Sequence, residues 1–137
     1  MADTLQLEIV TPDRLLVNER VEEVEIPGKS GYLEALPQHA PLITELAPGE
    51  LTYKSGGTVN RLAVSWGFAE VLPDKVTVLA QTAERPAEID VQRAQKAKQK
   101  AEEQLLHPKP DTDYDAALAA LQRAEVRLQV AAEKGQR

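Results

Sequence analysis

The residues best suited to chemistry lie in the last third of the chain: Asp90 and Arg93 in "IDVQRA" (89–94), Lys100, and the pair Arg123 and Arg127. Arg123 and Arg127 are four apart, so on a helix they share a face. Two guanidiniums side by side present forked donors that match a phosphate or a carboxylate. Placed at helical intervals, their neighbours are Ala116, Ala119, Ala120 and Val130, where a solvated face usually carries Glu, Lys and Gln. Arg93 and Lys100 are seven apart, two turns along one side of a preceding helix, so four cations converge if the two helices fold together. The plainer readings are that Asp90 only caps a helix, with Ile89 stapled onto Ala94, and that the arginine pair only makes surface ion pairs. Residue types alone leave both open.

Catalysis finds no support. The chain has no Gly-rich phosphate loop, no H-E-x-x-H, no nucleophile elbow and no cysteine, so neither a catalytic centre nor a thiolate metal site is expected. His39 and His107 are too few and too far apart for a zinc cluster, and His39 in "LPQHAPL" reads as a turn or core histidine. The net charge is −6, and the acid lies in residues 1–84, with 13 Asp/Glu against 6 Lys/Arg. That balance argues against nucleic acid as a partner, because a phosphate backbone needs a basic surface. The absence of cysteine fits a reducing compartment. No signal peptide and no membrane-spanning run is visible, so a soluble protein is expected, attached to a membrane only through partners.

The elements that must hold these residues fall into two kinds. Through residues 5–82 the apolar period is close to two: Leu5, Leu7 and Ile9 alternate with Gln6 and Glu8, and Val24 and Ile26 with Glu23 and Glu25. Turn signals such as Pro27-Gly28, Gly56-Gly57 and Pro73-Asp74 separate the runs, which predicts an antiparallel sandwich or flattened barrel. After Pro86 the period becomes helical, with Val91, Ala94, Ala97, Ala101 and Leu105 as the apolar stripe. "HPKP" (107–110) ends that helix, and "DTD" (111–113) caps a second over about 113–133, striped by Tyr114, Leu118, Leu121, Leu128 and Ala132. The expected organisation is a β domain over 1–85 and a helix-loop-helix over 86–137. Both stripes are narrow and alanine-rich, so the hairpin is the part suited to rearrange.

Three segments carry a resemblance: "GYLEALPQHAPLITELAPGEL" (31–51), "VSWGFAEVLPDKVTVLAQTAE" (64–84) and "IDVQRAQKAKQKAEEQL" (89–105). In order and over essentially the whole chain, they resemble the epsilon subunit of bacterial F-type ATP synthases, whose mitochondrial counterpart is called delta. The resemblance implies a sandwich of about ten short strands followed by an α-helical hairpin. It further implies a non-catalytic rotor-stalk subunit bound to the gamma subunit and the c-ring, at the cytoplasmic face of the bacterial inner membrane. Such a subunit couples proton-driven rotation to ATP synthesis. Its C-terminal helices can extend toward the alpha/beta head and block ATP hydrolysis.

In some members of that family the folded hairpin binds ATP without hydrolysing it, as a regulatory ligand; no cofactor is required. The resemblance carries this role to Glu84, Ile89, Asp90, Arg93, Ala94, Arg123 and Arg127, and to Lys100, which stands where an arginine is expected and so keeps the charge without the fork. It places His39 on the sandwich edge that faces the c-ring loops. Tyr32 stands there in place of a frequent acidic residue. Two alternatives compete with this reading: a free-standing nucleotide-binding module, and a purely structural coupler that binds no ATP.

Overall fold

A computed structural model describes residues 3–133, and the chain divides into two compact units, 1–83 and 84–137. The first unit is the β-sandwich. Its strands are β1 (Leu5–Thr11), β2 (Arg14–Val21), β3 (Glu23–Gly28), β4 (Gly31–Ala35), β5 (Leu42–Leu46), β6 (Gly49–Ser55), β7 (Thr58–Val71) and β8 (Lys75–Glu84). They follow the order β2-β1-β8-β7-β5-β3-β4, with β6 paired to β3 and β7. Hairpin neighbours are antiparallel, as the closely spaced turns require, whereas β1 runs parallel to β8, with Ile9 opposite Val78.

Eight strands are described rather than about ten, and β7 supplies part of the difference. "NRLAVSW" and "FAEVLP" look like two strands, yet they form one strand of 14 residues. The irregularity between them is a kink at Trp66 (φ 48°) and Gly67 (φ 124°). Before the kink β7 pairs with β6, ending at Val64 opposite Gly49; after it β7 pairs with β5, beginning at Gly67 opposite Leu46. Glycine is required there twice over. The φ is one that side chains rarely adopt, and a Cβ would sit 1.9 Å from the Leu79 carbonyl oxygen.

The alternation read from sequence sorts inside from outside. Leu5, Leu7, Ile9, Val24, Ile26, Val76 and Val78 are all fully buried, joined by Leu51, Tyr53, Leu62 and Val64 from β6 and β7. Each such side chain contributes about 1.5–3 kcal/mol by leaving water, so an aliphatic core suffices despite the scarcity of aromatics.

The second unit holds a 3₁₀ turn, Pro86–Glu88, then α1 (Val91–Leu106) and α2 (Tyr114–Ala132). Asp90 caps α1 by accepting the Arg93 amide at 3.0 Å, and Asp113 caps α2 by accepting the Ala116 amide at 3.1 Å. The α1 helix ends at His107, before Pro108. On α1 the expected stripe holds: Ala94 and Ala101 are buried, and Val91, Ala97 and Leu105 half-buried.

On α2 the expected stripe is wrong. Tyr114, Leu118 and Ala132 are exposed and Leu121 and Leu128 only half-buried, whereas Ala117, Ala124, Val130 and Ala131 are buried. The buried alanines recur every seven residues, 94 and 101 on one helix and 117, 124 and 131 on the other. Small side chains let two helix axes come toward the close limit of about 8 Å, and close contact wins over side-chain size. Each alanine methyl is worth only about 0.8 kcal/mol, so apart from Val130 the fully buried side chains of the two helices contribute little each. Among the described residues, no helix is long and apolar enough to cross a membrane.

Candidate functional site

The packing of α1 against α2 leaves a cleft of about 290 Å³ within the second unit. Its walls are Glu84, Glu88, Asp90 and Arg93 on one side of the chain reversal and Arg123 and Arg127 on the other. Its apolar lining is Ala94, Ala97, Ala120 and Ala124. The alanine periodicity explains why the arginines point here. Arg123 precedes buried Ala124 by one residue and Arg127 follows it by three, so both flank the face that α2 turns toward α1. Alanines keep the cleft open where leucines would fill it.

The cleft is organised by its own polar contacts. Arg127 Nε donates to Glu84 Oε1 at 2.5 Å, with about a quarter of each side chain exposed. Glu88 Oε1 accepts the Arg85 amide at 2.8 Å, which closes the 3₁₀ turn and fixes the approach to α1. Asp90 is occupied at Oδ1 by its capping bond, so it is a cap and a wall residue together. A group entering this cleft meets guanidinium forks suited to phosphate oxygens, carboxylates that accept hydrogen bonds, and small apolar surfaces against which a flat ring can lie.

Of the residues singled out in the sequence, Glu84, Asp90, Arg93, Ala94, Arg123 and Arg127 are thus brought together. Ile89 is buried and Lys100 exposed, and both lie outside the lining. Lys100 is seven residues beyond Arg93, about 10 Å further along the helix axis, and the cleft sits at the start of α1. Glu88 was missed. The one available signal was its position two residues before the capping Asp90, on the same approach to the helix.

On the first unit, Tyr32 lies in β4 and His39 in the turn that follows it. That turn is of the type that needs Pro and then a positive φ: Pro37, then Gln38 at φ 77°, closed by the His39 amide on the Leu36 carbonyl at 3.1 Å. His39 is half-buried, and its Nδ1 donates to the Ala40 carbonyl at 2.6 Å. The Tyr32 hydroxyl accepts the Glu50 amide at 3.0 Å, and burial pushes the phenol above its usual range. Tyr32 therefore braces β4 to the start of β6.

A second surface of this unit carried no sequence signal. Val10 stands opposite Leu15 on β2 and Leu79 on β8, and all three are on the outer side of the sheet. Phe68 on β7 and Ile43 on β5 extend the row. Leu15, Leu79, Phe68 and Ile43 are 54, 54, 52 and 70% exposed, with Glu45 opposite Phe68 and Glu70 opposite Ile43, so large apolar side chains alternate with carboxylates on this face, and exposed apolar side chains of this size suit a contact surface.

Comparison with known proteins agrees with this architecture. Residues 4–86 match the family model "ATP synthase, Delta/Epsilon chain, beta-sandwich domain", and residues 87–132 match its "long alpha-helix domain". The chain is 50% identical to the ATP synthase epsilon chain of Solibacter usitatus over 134 residues, covering 98% of this chain and all of that one. It is 61% identical to that of Koribacter versatilis over 111 residues, which is 81% of this chain and 78% of that one. Among solved structures, a chain of the Euglena gracilis mitochondrial ATP synthase superposes with a TM-score of 0.82 at 26% identity, covering 96% of this chain and 83% of that one. Two unit-by-unit family matches and half-identical relatives of the same length settle the assignment: the chain belongs to the delta/epsilon family of ATP synthase subunits and is a non-catalytic component of the central stalk.

Proposed function

We propose that this stalk subunit couples rotation of the c-ring to ATP synthesis and that its helical hairpin is an ATP-responsive brake on hydrolysis. One observation carries the regulatory part: the hairpin gathers Arg93, Arg123 and Arg127 around an alanine-lined cleft whose walls also carry Glu84, Glu88 and Asp90. The arginines would take the phosphates, and the alanine surfaces would take the base. The cleft lining carries no hydroxyl or thiol nucleophile, and in this reading the nucleotide is a ligand and not a substrate.

Two states of such a switch must differ by only a few kcal/mol for a ligand to select between them. A hairpin joined through alanine methyls meets that requirement, and a nucleotide bridging both helices adds contacts that only the compact form can make. The extended form would then reach the alpha/beta head. On the rotor side, the apolar band through Leu79, Phe68 and Ile43, together with the edge at Tyr32 and His39, offers surfaces for the gamma subunit and the c-ring. In this reading the subunit assembles at the cytoplasmic face of the inner membrane, as the resemblance to bacterial epsilon subunits implies.

The assembled synthase tests this reading. A complex whose chain ends at Arg85 should hydrolyse ATP faster than one with the full chain. A complex carrying Arg123→Ala and Arg127→Ala should stay inhibited at millimolar ATP, where the unaltered complex is released. Equal hydrolysis by all three would leave a purely structural coupler.

A further inference from the structure

The cleft is lined by three arginines, but it is not a cationic cleft. Glu84, Glu88 and Asp90 stand against Arg93, Arg123 and Arg127, so the formal charges of the walls cancel. Within it Arg127 Nε forms an ion pair with Glu84 Oε1 at 2.5 Å. Both partners are roughly three-quarters withdrawn from solvent, where charges are screened far less than on an open surface. A phosphate approaching Arg127 therefore meets a carboxylate already in place. It must either displace that carboxylate or bind beside it.

We propose that Glu84 is an internal counter-ion: it holds Arg127, and a bare polyanion must compete with it, so that polyanion binding is weakened. This rests on the cleft being the anion site proposed above, and it names how that site selects. A ligand made only of phosphate gains the arginines but suffers repulsion from Glu84 and its neighbours. A ligand that carries hydrogen-bond donors as well as phosphates turns the same carboxylates into acceptors. Inorganic polyphosphate is the first kind, and a nucleotide with an amino-substituted base is the second. The acidic wall thus weakens polyphosphate and free phosphate relative to a ligand that also brings donors.

The probe is inorganic tripolyphosphate, which has a nucleotide's phosphate chain and no base. It is titrated by calorimetry in low salt into the full chain, into Glu84→Gln, and into Glu84→Gln with Arg127→Gln. Glutamine keeps the size of the side chain and an oxygen for the Arg127 Nε–H, so only the charge is removed. The expected result is binding about tenfold tighter in Glu84→Gln than in the unaltered chain, the scale of one nearby charge at a partly buried site. The gain should disappear in the double variant.

Unchanged or weaker tripolyphosphate binding in Glu84→Gln overturns the proposal, as does no binding by any of the three. ATP titrated into the unaltered chain separates the two claims. If ATP binds and Glu84→Gln brings no gain for tripolyphosphate, the site stands and the counter-ion falls. If the gain appears while ATP does not bind, the counter-ion stands and the nucleotide reading falls.

Discussion

The carboxylate of Asp90 accepts the Arg93 amide at 3.0 Å, and both residues line the same cleft. A cap and a ligand site are therefore not alternatives here. The capping bond uses one carboxylate oxygen and a backbone N–H, which leaves the Arg93 guanidinium to the cleft.

Capping and charge at Asp90 can be separated by substitution. Asp90→Ala should destabilise α1 by about 1 kcal/mol, and Asp90→Asn, itself a good cap, by only a few tenths. Helical content followed through urea unfolding measures both. Equal losses would mean that the charge of Asp90, and not its acceptor oxygen, supports the helix.

Gly67 carries the kink that lets one strand serve two neighbours. Gly67→Ala places a methyl against the Leu79 carbonyl and keeps a φ of 124°, so the sandwich should lose several kcal/mol or fail to form. Gly57→Ala is the control: its φ is 83°, but nothing lies within 4 Å of the added Cβ, and the loss should be about 1–2 kcal/mol. Thermal unfolding of the two variants decides the order.

Glu34 and Glu23 repel each other on the open face of β3 and β4. Their shared hydrogen bond and like charge, with Glu25 alongside, raise the Glu34 carboxyl above its usual range. A raised folded value means that the protonated form is the one the fold prefers. Its contribution is complete below the unfolded value and is lost as pH rises through the folded one. Glu34→Gln should therefore raise the melting temperature at pH 7, and the gain should vanish below about pH 4. A gain of equal size at both pH values would contradict the charge argument.

The outer band of the sandwich predicts a docking defect without a folding defect. Phe68→Ser with Ile43→Ser alters side chains that are 52 and 70% exposed, so stability should change by about 0.5 kcal/mol or less per site. Copurification with the rest of the central stalk should drop sharply. Undiminished copurification would mean that this band is not the contact.

The strands and the caps were legible in the sequence because both follow from local rules. Leu5, Leu7 and Ile9 alternate on one face, and Asp90 and Asp113 each precede a helical run. The kink at Trp66-Gly67 was not legible as one strand, because a glycine inside a strand pattern looks the same whether the strand bends or ends. The inner face of α2 was misread for a different reason. Leu118 and Leu121 outweigh Ala117 and Ala124 on any scale of side-chain hydrophobicity, but helix packing rewards closeness, which depends on the partner helix. The arginine pair was visible as a pair, while its ion pair with Glu84, 43 residues away in sequence, needed the fold to bring them together. The apolar band is built from one residue per strand and has no period along the chain at all.

If the hairpin cleft is a nucleotide site, its affinity must be built on its arginines. Calorimetric titration of ATP into the full chain tests it most directly, with Arg123→Ala, Arg127→Ala and, as a control on the sandwich, Lys75→Ala. Saturable binding is expected, weakened by tenfold or more, about 1.4 kcal/mol, in either arginine variant and unchanged in Lys75→Ala. No heat up to millimolar ATP, or equal effects of all three substitutions, would contradict it.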